Sequence, residues 1–118
     1  MTQRVLIVDD HAGFRSAARA LLESEGVDVV GEAVDGDGAL AAADRLHPSL
    51  VLLDIQLPGD DGFAVARKLA SLADPPVVVL ISSRAASEVR AGLADTPAVG
   101  FLPKNELSAA AIDALLAR

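Results

Sequence analysis

The architecture follows from one run in the chain, Ser49-Leu50-Val51-Leu52-Leu53-Asp54-Ile55-Gln56-Leu57-Pro58-Gly59. Five residues of this run are apolar or small without a break before a single carboxylate, and a Pro-Gly turn follows. Continuous apolar character is typical of a strand whose two faces are both covered by helices. The pattern therefore places Asp54 at the C-terminal tip of a buried parallel strand.

Two other apolar runs end in polar side chains in the same way. Val5 to Val8 is followed by Asp9 and Asp10, and the run from Val77 ends in Ser82 and Ser83. In an open parallel α/β sheet, ligands bind outside the carboxyl ends of the strands, where the strand order reverses. We expect these polar groups to form one site at that edge of the sheet.

The whole chain alternates strand patterns with helix patterns. The alternation predicts a doubly wound parallel sheet, of the α/β class, with right-handed crossovers and no repeat or linker. The edge-like strand Val27 to Val34 and the short last strand Ala98 to Leu102 complete the predicted sheet. Helices are predicted over Gly13 to Glu25, Asp37 to Leu46, Phe63 to Leu72, Arg84 to Leu93 and Glu106 to Leu116.

Composition limits the classes of function. The 118 residues fit one domain, and the 52% apolar share predicts a folded core. A formal charge of −7 argues against direct binding of nucleic acid, because proteins that bind nucleic acid usually present a basic surface to it. No cysteine is present, so a disulfide framework and a thiolate metal site are excluded. With no apolar stretch near 20 residues and no signal peptide, the sequence predicts a soluble cytoplasmic protein without a membrane segment.

Over its whole length the chain resembles the receiver domain of two-component response regulators. The resemblance implies a single receiver domain over residues 1–118, with a flavodoxin-like three-layer α/β/α fold, strand order 2-1-3-4-5 and five helices. It depends on five pieces that occur in the family's order, each unspecific alone: Asp9-Asp10, Asp54, Ser82, Phe101 and Lys104.

The carboxylates have a chemistry of their own. Three of them at neighbouring strand ends would repel unless a cation neutralised them, and an all-oxygen site suits Mg²⁺. We expect Asp9 and Asp10 to hold the ion. By resemblance to the family, Asp54 and the backbone carbonyl of Gln56 are further metal ligands. A carboxylate placed in this way can attack a phosphoryl group in line, which makes Asp54 the expected nucleophile.

The resemblance assigns roles to three more residues. Lys104, one of two lysines in the chain, would pair with Asp54 and then with the phosphoryl oxygens. Ser82 would donate its hydroxyl to a phosphoryl oxygen and trigger a switch that Phe101 follows. The simpler alternatives are a solvated loop lysine, a helix-capping serine and an aromatic residue at the rim of the core.

Several neighbouring residues favour simpler interpretations. His11 stands beside the acidic pair, but a histidine with no partner His or Cys is weak support for zinc, and we expect it at the rim. Asp60 and Asp61 are expected to open the third helix. Pro103 precedes Lys104, where the family usually has a proline after the lysine, and a cis Leu102-Pro103 bond is left open.

The predicted function is that of a switch which accepts a phosphoryl group from a histidine kinase or a phosphotransfer protein. A pseudo-receiver without chemistry and a phosphohydrolase of the haloacid dehalogenase type are the alternatives. The latter needs an acid two residues after the nucleophile, where Gln56 stands. The pieces look most like receivers attached to helix-turn-helix domains. A homodimer, a separate effector and an attached output domain are left open.

Overall fold

The computed structural model describes residues 3–83 and 95–117. The predicted helix from Arg84 to Leu93 lies outside these ranges. The strands are β1 (Arg4–Val8), β2 (Asp28–Ala33), β3 (Leu50–Asp54), β4 (Gln56–Leu57), β5 (Asp60–Asp61), β6 (Val77–Ser82) and β7 (Gly100–Pro103). The helices of the described part are α1 (Ala12–Ser24), α2 (Gly36–Leu46), α3 (Gly62–Ala70) and α4 (Ala109–Leu116).

Five of the strands form one parallel sheet. Their order is β2-β1-β3-β6-β7, which is 2-1-3-4-5 when only the strands of this sheet are numbered, as predicted. The order reverses between β1 and β3, whose carboxyl ends carry the acidic residues. Strand β2 lies at an edge, in agreement with its weaker apolar pattern. The doubly wound fold predicted from the alternation of elements is confirmed.

Each face of the sheet is covered by two of the described helices. On one face, apolar residues of β1, β3 and β6 pack against Ala39 and Ala42 of α2 and Val65 and Leu69 of α3. On the other face, the alternate residues of the same strands pack against α1 and α4. Because both faces are buried, β3 is fully buried along its length, and this explains its unbroken apolar sequence.

The last helix begins later than predicted. Lys104–Glu106 forms a turn of 3₁₀-helix, and Leu107 then leaves helical geometry to bury its side chain in the core. The Ser108 side chain accepts a hydrogen bond from the Ala111 N–H at 3.0 Å and caps the helix, so α4 starts at Ala109. The Leu102–Pro103 bond is trans, since the described residues contain no cis peptide bond.

The connection from β3 to α3 contains a hairpin that the sequence analysis did not predict. Strands β4 and β5 pair antiparallel around Pro58-Gly59, and Gly59 has a φ of 68°. A proline followed by a left-handed glycine is the pattern of a type II turn. Asp61 caps α3 as expected, by accepting from the Phe63 N–H at 2.9 Å.

The expectation for Asp60 was wrong. Its carboxylate accepts a hydrogen bond from the Gly36 N–H at 3.0 Å, at the start of α2. The hairpin is the reason, because adjacent residues of a strand point to opposite sides and only one of the two aspartates can face α3. In the described part of the chain, none of the helices is long and apolar enough to span a bilayer.

Gly62 fixes the distance between α3 and the end of β3. A Cβ atom at this position would lie 2.5 Å from Ile55 Cα and 2.6 Å from the carbonyl oxygen of Asp54. The Gly62 N–H also donates to the Ile55 carbonyl at 2.8 Å. The helix therefore approaches the backbone beside Asp54 as closely as a glycine allows.

We predict that Gly62→Ala lowers the free energy of unfolding by about 3 kcal/mol, since backbone atoms must move to admit the methyl group. Urea denaturation followed by circular dichroism would measure the loss.

Gly13→Ala is the matched control. No atom lies within 4 Å of the added Cβ in α1, so this change should be neutral or stabilising by up to about 1 kcal/mol. Equal unfolding free energies for Gly62→Ala and the parent protein would refute the close-approach argument.

Candidate functional site

Two buried carboxylates and one ammonium group meet at the carboxyl edge of the sheet. The side chains of Asp9 and Asp54 are 0% and 3% exposed, and that of Lys104 is 15% exposed. Lys104 Nζ lies 2.5 Å from Asp9 Oδ2 and 3.4 Å from Asp54 Oδ2. The ammonium group thus bridges both carboxylates and is closer to Asp9, whereas the sequence analysis paired it with Asp54.

The register of the parallel strands explains this convergence. Val8 of β1 lies opposite Leu53 of β3, so Asp9 and Asp54 follow at the same level on neighbouring strands. Asp54 in turn lies opposite Ile81, which precedes Ser82. Ser82 lies opposite Pro103 of β7, and Lys104 comes next. Residues far apart in sequence therefore arrive at one edge because parallel strands end together.

Burial dominates the electrostatics of Asp54. Desolvation raises the pKa of its carboxyl group above the usual value, and the charge of Asp9 adds to this effect. The Gln56 N–H, which donates to Asp54 Oδ1 at 3.1 Å, and the Lys104 ammonium group act in the opposite direction. A carboxylate held in this way is short of compensating positive charge.

Asp10 and His11 form the outer part of the site. His11 Nδ1 lies 3.0 Å from Asp9 Oδ1 and 3.2 Å from Asp10 Oδ1. The His11 backbone N–H also donates to Asp9 Oδ1, at 2.8 Å. The expected rim position of His11 agrees with its 68% exposed side chain, but its contact with both aspartates was not anticipated.

The remaining predicted site residues lie at or near this edge. Gln56 contacts Asp54 through its N–H, and the predicted role of its carbonyl stays a prediction. Ser82 is buried at the end of β6, at 1% exposure. Phe101 of β7 lies opposite Leu80 of β6, before the ends of both strands. Its half-buried ring packs against the core on the face covered by α2 and α3. Its position is compatible with the simpler role of filling the rim of the core.

Two residues of α1 that the sequence analysis did not assign to the site support it from below. The Phe14 ring lies under Lys104, with Nζ 4.6 Å from the ring centroid, which is a cation–π contact. Arg15 donates to the Asp9 carbonyl oxygen at 2.7 Å and pairs with Glu32 of β2. Phe14 lies within the predicted helix Gly13 to Glu25, but no local pattern gives its distance to a residue 90 positions away.

The donor set fits a divalent cation. Asp9, Asp10, His11 and Asp54 each offer a ligand atom, and these atoms lie within 4.8 Å of one another. Asp9 Oδ2 and Asp10 Oδ1 are buried oxygens that accept no hydrogen bond of good geometry from the described residues. Two of the three carboxylates, those of Asp9 and Asp54, share the Lys104 ammonium group, and a hard cation is the partner that such oxygens prefer.

We predict that Asp54→Asn raises the melting temperature of the metal-free protein at pH 7. Because the pKa of Asp54 is higher in the folded protein than in the unfolded chain, the protonated carboxyl stabilises the fold at acid pH. That stabilisation is lost as the pH rises through the folded pKa. Asparagine carries no charge to desolvate. A gain of about 1 kcal/mol would shift the midpoint by roughly 3–6 °C.

Thermal unfolding between pH 7 and pH 4 would test this prediction, because the gain should shrink as the pH falls. Asp61→Asn is the control, since asparagine caps a helix as well as aspartate does and residue 61 is exposed. A lower midpoint for Asp54→Asn than for the parent protein at pH 7 would contradict the argument.

Comparisons with known proteins agree with this geometry. BvgA of Bordetella pertussis, a transcription regulator of virulence factors, is 39% identical over 106 residues, which cover 90% of this chain and 51% of BvgA. Protein-glutamate methylesterase/protein-glutamine glutaminase 5 of Myxococcus xanthus is 49% identical over 81 residues, covering 68% of this chain and 23% of that protein. The chain thus spans about half the length of BvgA and about a quarter of the length of the methylesterase.

The fold has close counterparts among solved structures. The signal receiver domain of the response regulator NarL from Mycobacterium tuberculosis matches with a TM-score of 0.84 and 36% identity, covering 99% of this chain and 98% of that one. The sequence model of the response regulator receiver domain matches residues 5–116. The chain therefore belongs to the response regulator receiver domain family.

Proposed function

We propose that this chain is a phosphoacceptor receiver in which Asp54 takes a phosphoryl group from a histidine kinase or a phosphotransfer protein. The observation that carries the proposal is the buried Asp54 carboxylate, which stands at a strand tip with Lys104 3.4 Å away and Asp9 directly after the neighbouring strand β1. A desolvated carboxylate with a fixed cation beside it is arranged for in-line attack and for neutralising the charge that arrives.

The proposed reaction conserves atoms and charge. An Asp54 carboxylate oxygen attacks the phosphorus of a phosphohistidine, the P–N bond breaks, and the histidine nitrogen leaves with the bonding electron pair. Lys104 then moves from the carboxylates to a phosphoryl oxygen, and the Ser82 hydroxyl donates to another. The switch is reset by a slower hydrolysis, in which water attacks phosphorus and the acyl P–O bond breaks. This step releases inorganic phosphate and restores the Asp54 carboxylate.

A divalent ion, Mg²⁺ by the chemistry of the oxygen donors, is part of the proposal. Asp9, Asp10, Asp54 and the Gln56 carbonyl are the proposed ligands, and the buried Asp10 Oδ1, which accepts no hydrogen bond of good geometry from the described residues, supports that assignment. The ion would supply positive charge to the transferring phosphoryl group. Asp9 is held by the Arg15 and His11 contacts, so it could keep its place as the ion enters.

The output of the switch is proposed to pass through Ser82 and Phe101. Ser82 ends β6, and Phe101 lies on the neighbouring strand β7, opposite Leu80. A serine drawn toward a phosphoryl group would move the segment that follows it, and space beside Phe101 would open or close. The partner surface would then include β7 and α4.

The partners follow from the family and the charge. We place residues 1–118 in one receiver domain, in the cytoplasm, that controls an effector or an attached helix-turn-helix domain and that could also pair with a second copy. A formal charge of −7 supports an indirect action on DNA, through such an output domain, over direct contact. The relative BvgA is a transcription regulator, which supports a role in transcription regulation.

We predict that a small phosphodonor with Mg²⁺ adds one phosphoryl mass to the protein and that Asp54→Asn abolishes the gain. The reason is that Asp54 ends the central strand β3, at the position of the family's phosphoacceptor, whereas Asp9 is held more tightly by Lys104, at 2.5 Å against 3.4 Å for Asp54. Intact-mass spectrometry would measure the product.

The same assay contains its controls. Asp61→Asn should keep the mass gain, whereas removing Mg²⁺, or combining Asp9→Ala with Asp10→Ala, should abolish it. Lys104→Ala should lower the yield much more than Lys68→Ala, the change at the other lysine. A pseudo-receiver would gain no mass under any condition, and a phosphohydrolase would release phosphate without retaining it.

For the switch, we predict that beryllofluoride with Mg²⁺ changes amide exchange most in residues 82 to 104. The acyl-phosphate mimic would engage Ser82 and Lys104, which begin and end that segment. Exchange read by mass spectrometry, with Asp54→Asn as the unresponsive control, would test this. Changes confined to α1 and α2 would refute the proposed path.

A further inference from the structure

His11 occupies a place at the acid cluster that the family resemblance did not assign. It is the N-cap residue of α1, with extended backbone angles, yet its side chain makes no capping hydrogen bond. The imidazole instead turns toward the carboxylates, with Nδ1 close to one oxygen of Asp9 and one oxygen of Asp10. A ring that is 68% exposed is thus oriented by the site and not by packing.

The separations around Nδ1 match those of neighbouring ligands on one ion. In octahedral coordination with bonds of about 2.1 Å, adjacent ligand atoms lie about 3.0 Å apart. The distances from His11 Nδ1 are 3.0 Å to Asp9 Oδ1 and 3.2 Å to Asp10 Oδ1. An oxygen of Asp54 lies within 4.8 Å of the same atoms, so it belongs to the same cluster of candidate ligands.

A hydrogen bond accounts for only part of this arrangement. One Nδ1–H can be directed at a single oxygen, and Asp9 Oδ1 already accepts the His11 backbone N–H at 2.8 Å. Asp10 Oδ1 is buried and accepts no hydrogen bond of good geometry from the described residues, although it faces the ring. Lys104 occupies Asp9 Oδ2, which leaves Oδ1 on the side of His11 and Asp10.

We propose that His11 Nδ1 is a direct ligand when a first-row transition-metal ion occupies this site, and that His11 makes the site prefer such ions over Mg²⁺. The inference rests on the proposed function, since it uses the same divalent-ion site. Imidazole nitrogen binds borderline transition ions well, whereas Mg²⁺ prefers oxygen ligands and keeps its waters. Mn²⁺ is the most stringent probe, because it is the weakest binder of the divalent transition series.

Pulsed electron paramagnetic resonance on the Mn²⁺-loaded protein, without any phosphodonor, would detect an imidazole ¹⁴N coupled to the ion. His11→Ala should remove that coupling. Calorimetry should show that this variant binds Mn²⁺ at least about tenfold more weakly, as expected for loss of a ligand-shell group. The Mg²⁺ dissociation constant should stay nearly unchanged.

The other histidine provides the matched control. His47→Asn should keep the nitrogen coupling and the Mn²⁺ affinity, and asparagine suits this position because His47 has a φ of 48°. Mn²⁺ binding without nitrogen coupling would overturn the inference. So would an equal loss of Mn²⁺ and Mg²⁺ affinity in His11→Ala, which would mean that His11 only positions Asp9.

The Mg²⁺-dependent mass gain on Asp54, measured on the same preparation, separates this inference from the proposed function. A normal mass gain with no nitrogen coupling would overturn the role of His11 alone. Failure of the parent protein to bind either ion would overturn both.

Discussion

The burial of Asp9 and Asp54 beside one ammonium group is the constraint on which the structure of the site depends. Two carboxylates removed from water at neighbouring strand ends are unstable unless positive charge is supplied, and Lys104 supplies only part of it. The raised pKa of Asp54 reflects burial that is not fully compensated by positive charge. The chemistry proposed for this chain follows from the same imbalance, because an ion or an arriving phosphoryl group with its ion would complete the charge pattern.

The scaffold holds this unfavourable arrangement from several sides. Gly62 lets α3 approach the Asp54 backbone, and Arg15 binds the Asp9 carbonyl while it pairs with Glu32 on the edge strand. Phe14 supports the Lys104 ammonium group from α1. These contacts fix the groups without adding net charge, because the Arg15 guanidinium is paired with Glu32, so the site can still accept a cation.

Exposure rises from the inside of the site to its rim. The side chain of Asp9 is fully buried, Lys104 is 15% exposed, Asp10 is 30% exposed and His11 is 68% exposed. The inner groups are therefore suited to fixed roles such as nucleophile, cation and anchor. The outer pair, Asp10 and His11, can reach a hydrated ion and replace some of its bound water molecules. The inferred metal preference therefore depends on His11.

The sequence by itself determined the sheet and the candidate acids. The unbroken apolar run before Asp54 reflects burial on both faces, and such patterns are local, so the strands and the positions of Asp9, Asp10 and Asp54 at their ends could be predicted. The strand order came from the resemblance to the receiver family. Tertiary structure alone decided that Lys104 lies nearer Asp9 than Asp54, that Asp60 binds the first N–H of α2, and that Phe14 and His11 join the site. Those contacts depend on the register between strands and on the packing of α1 against the sheet. The periodicity of the sequence reports which face of an element is buried, but it does not report distances between residues that are far apart in the chain.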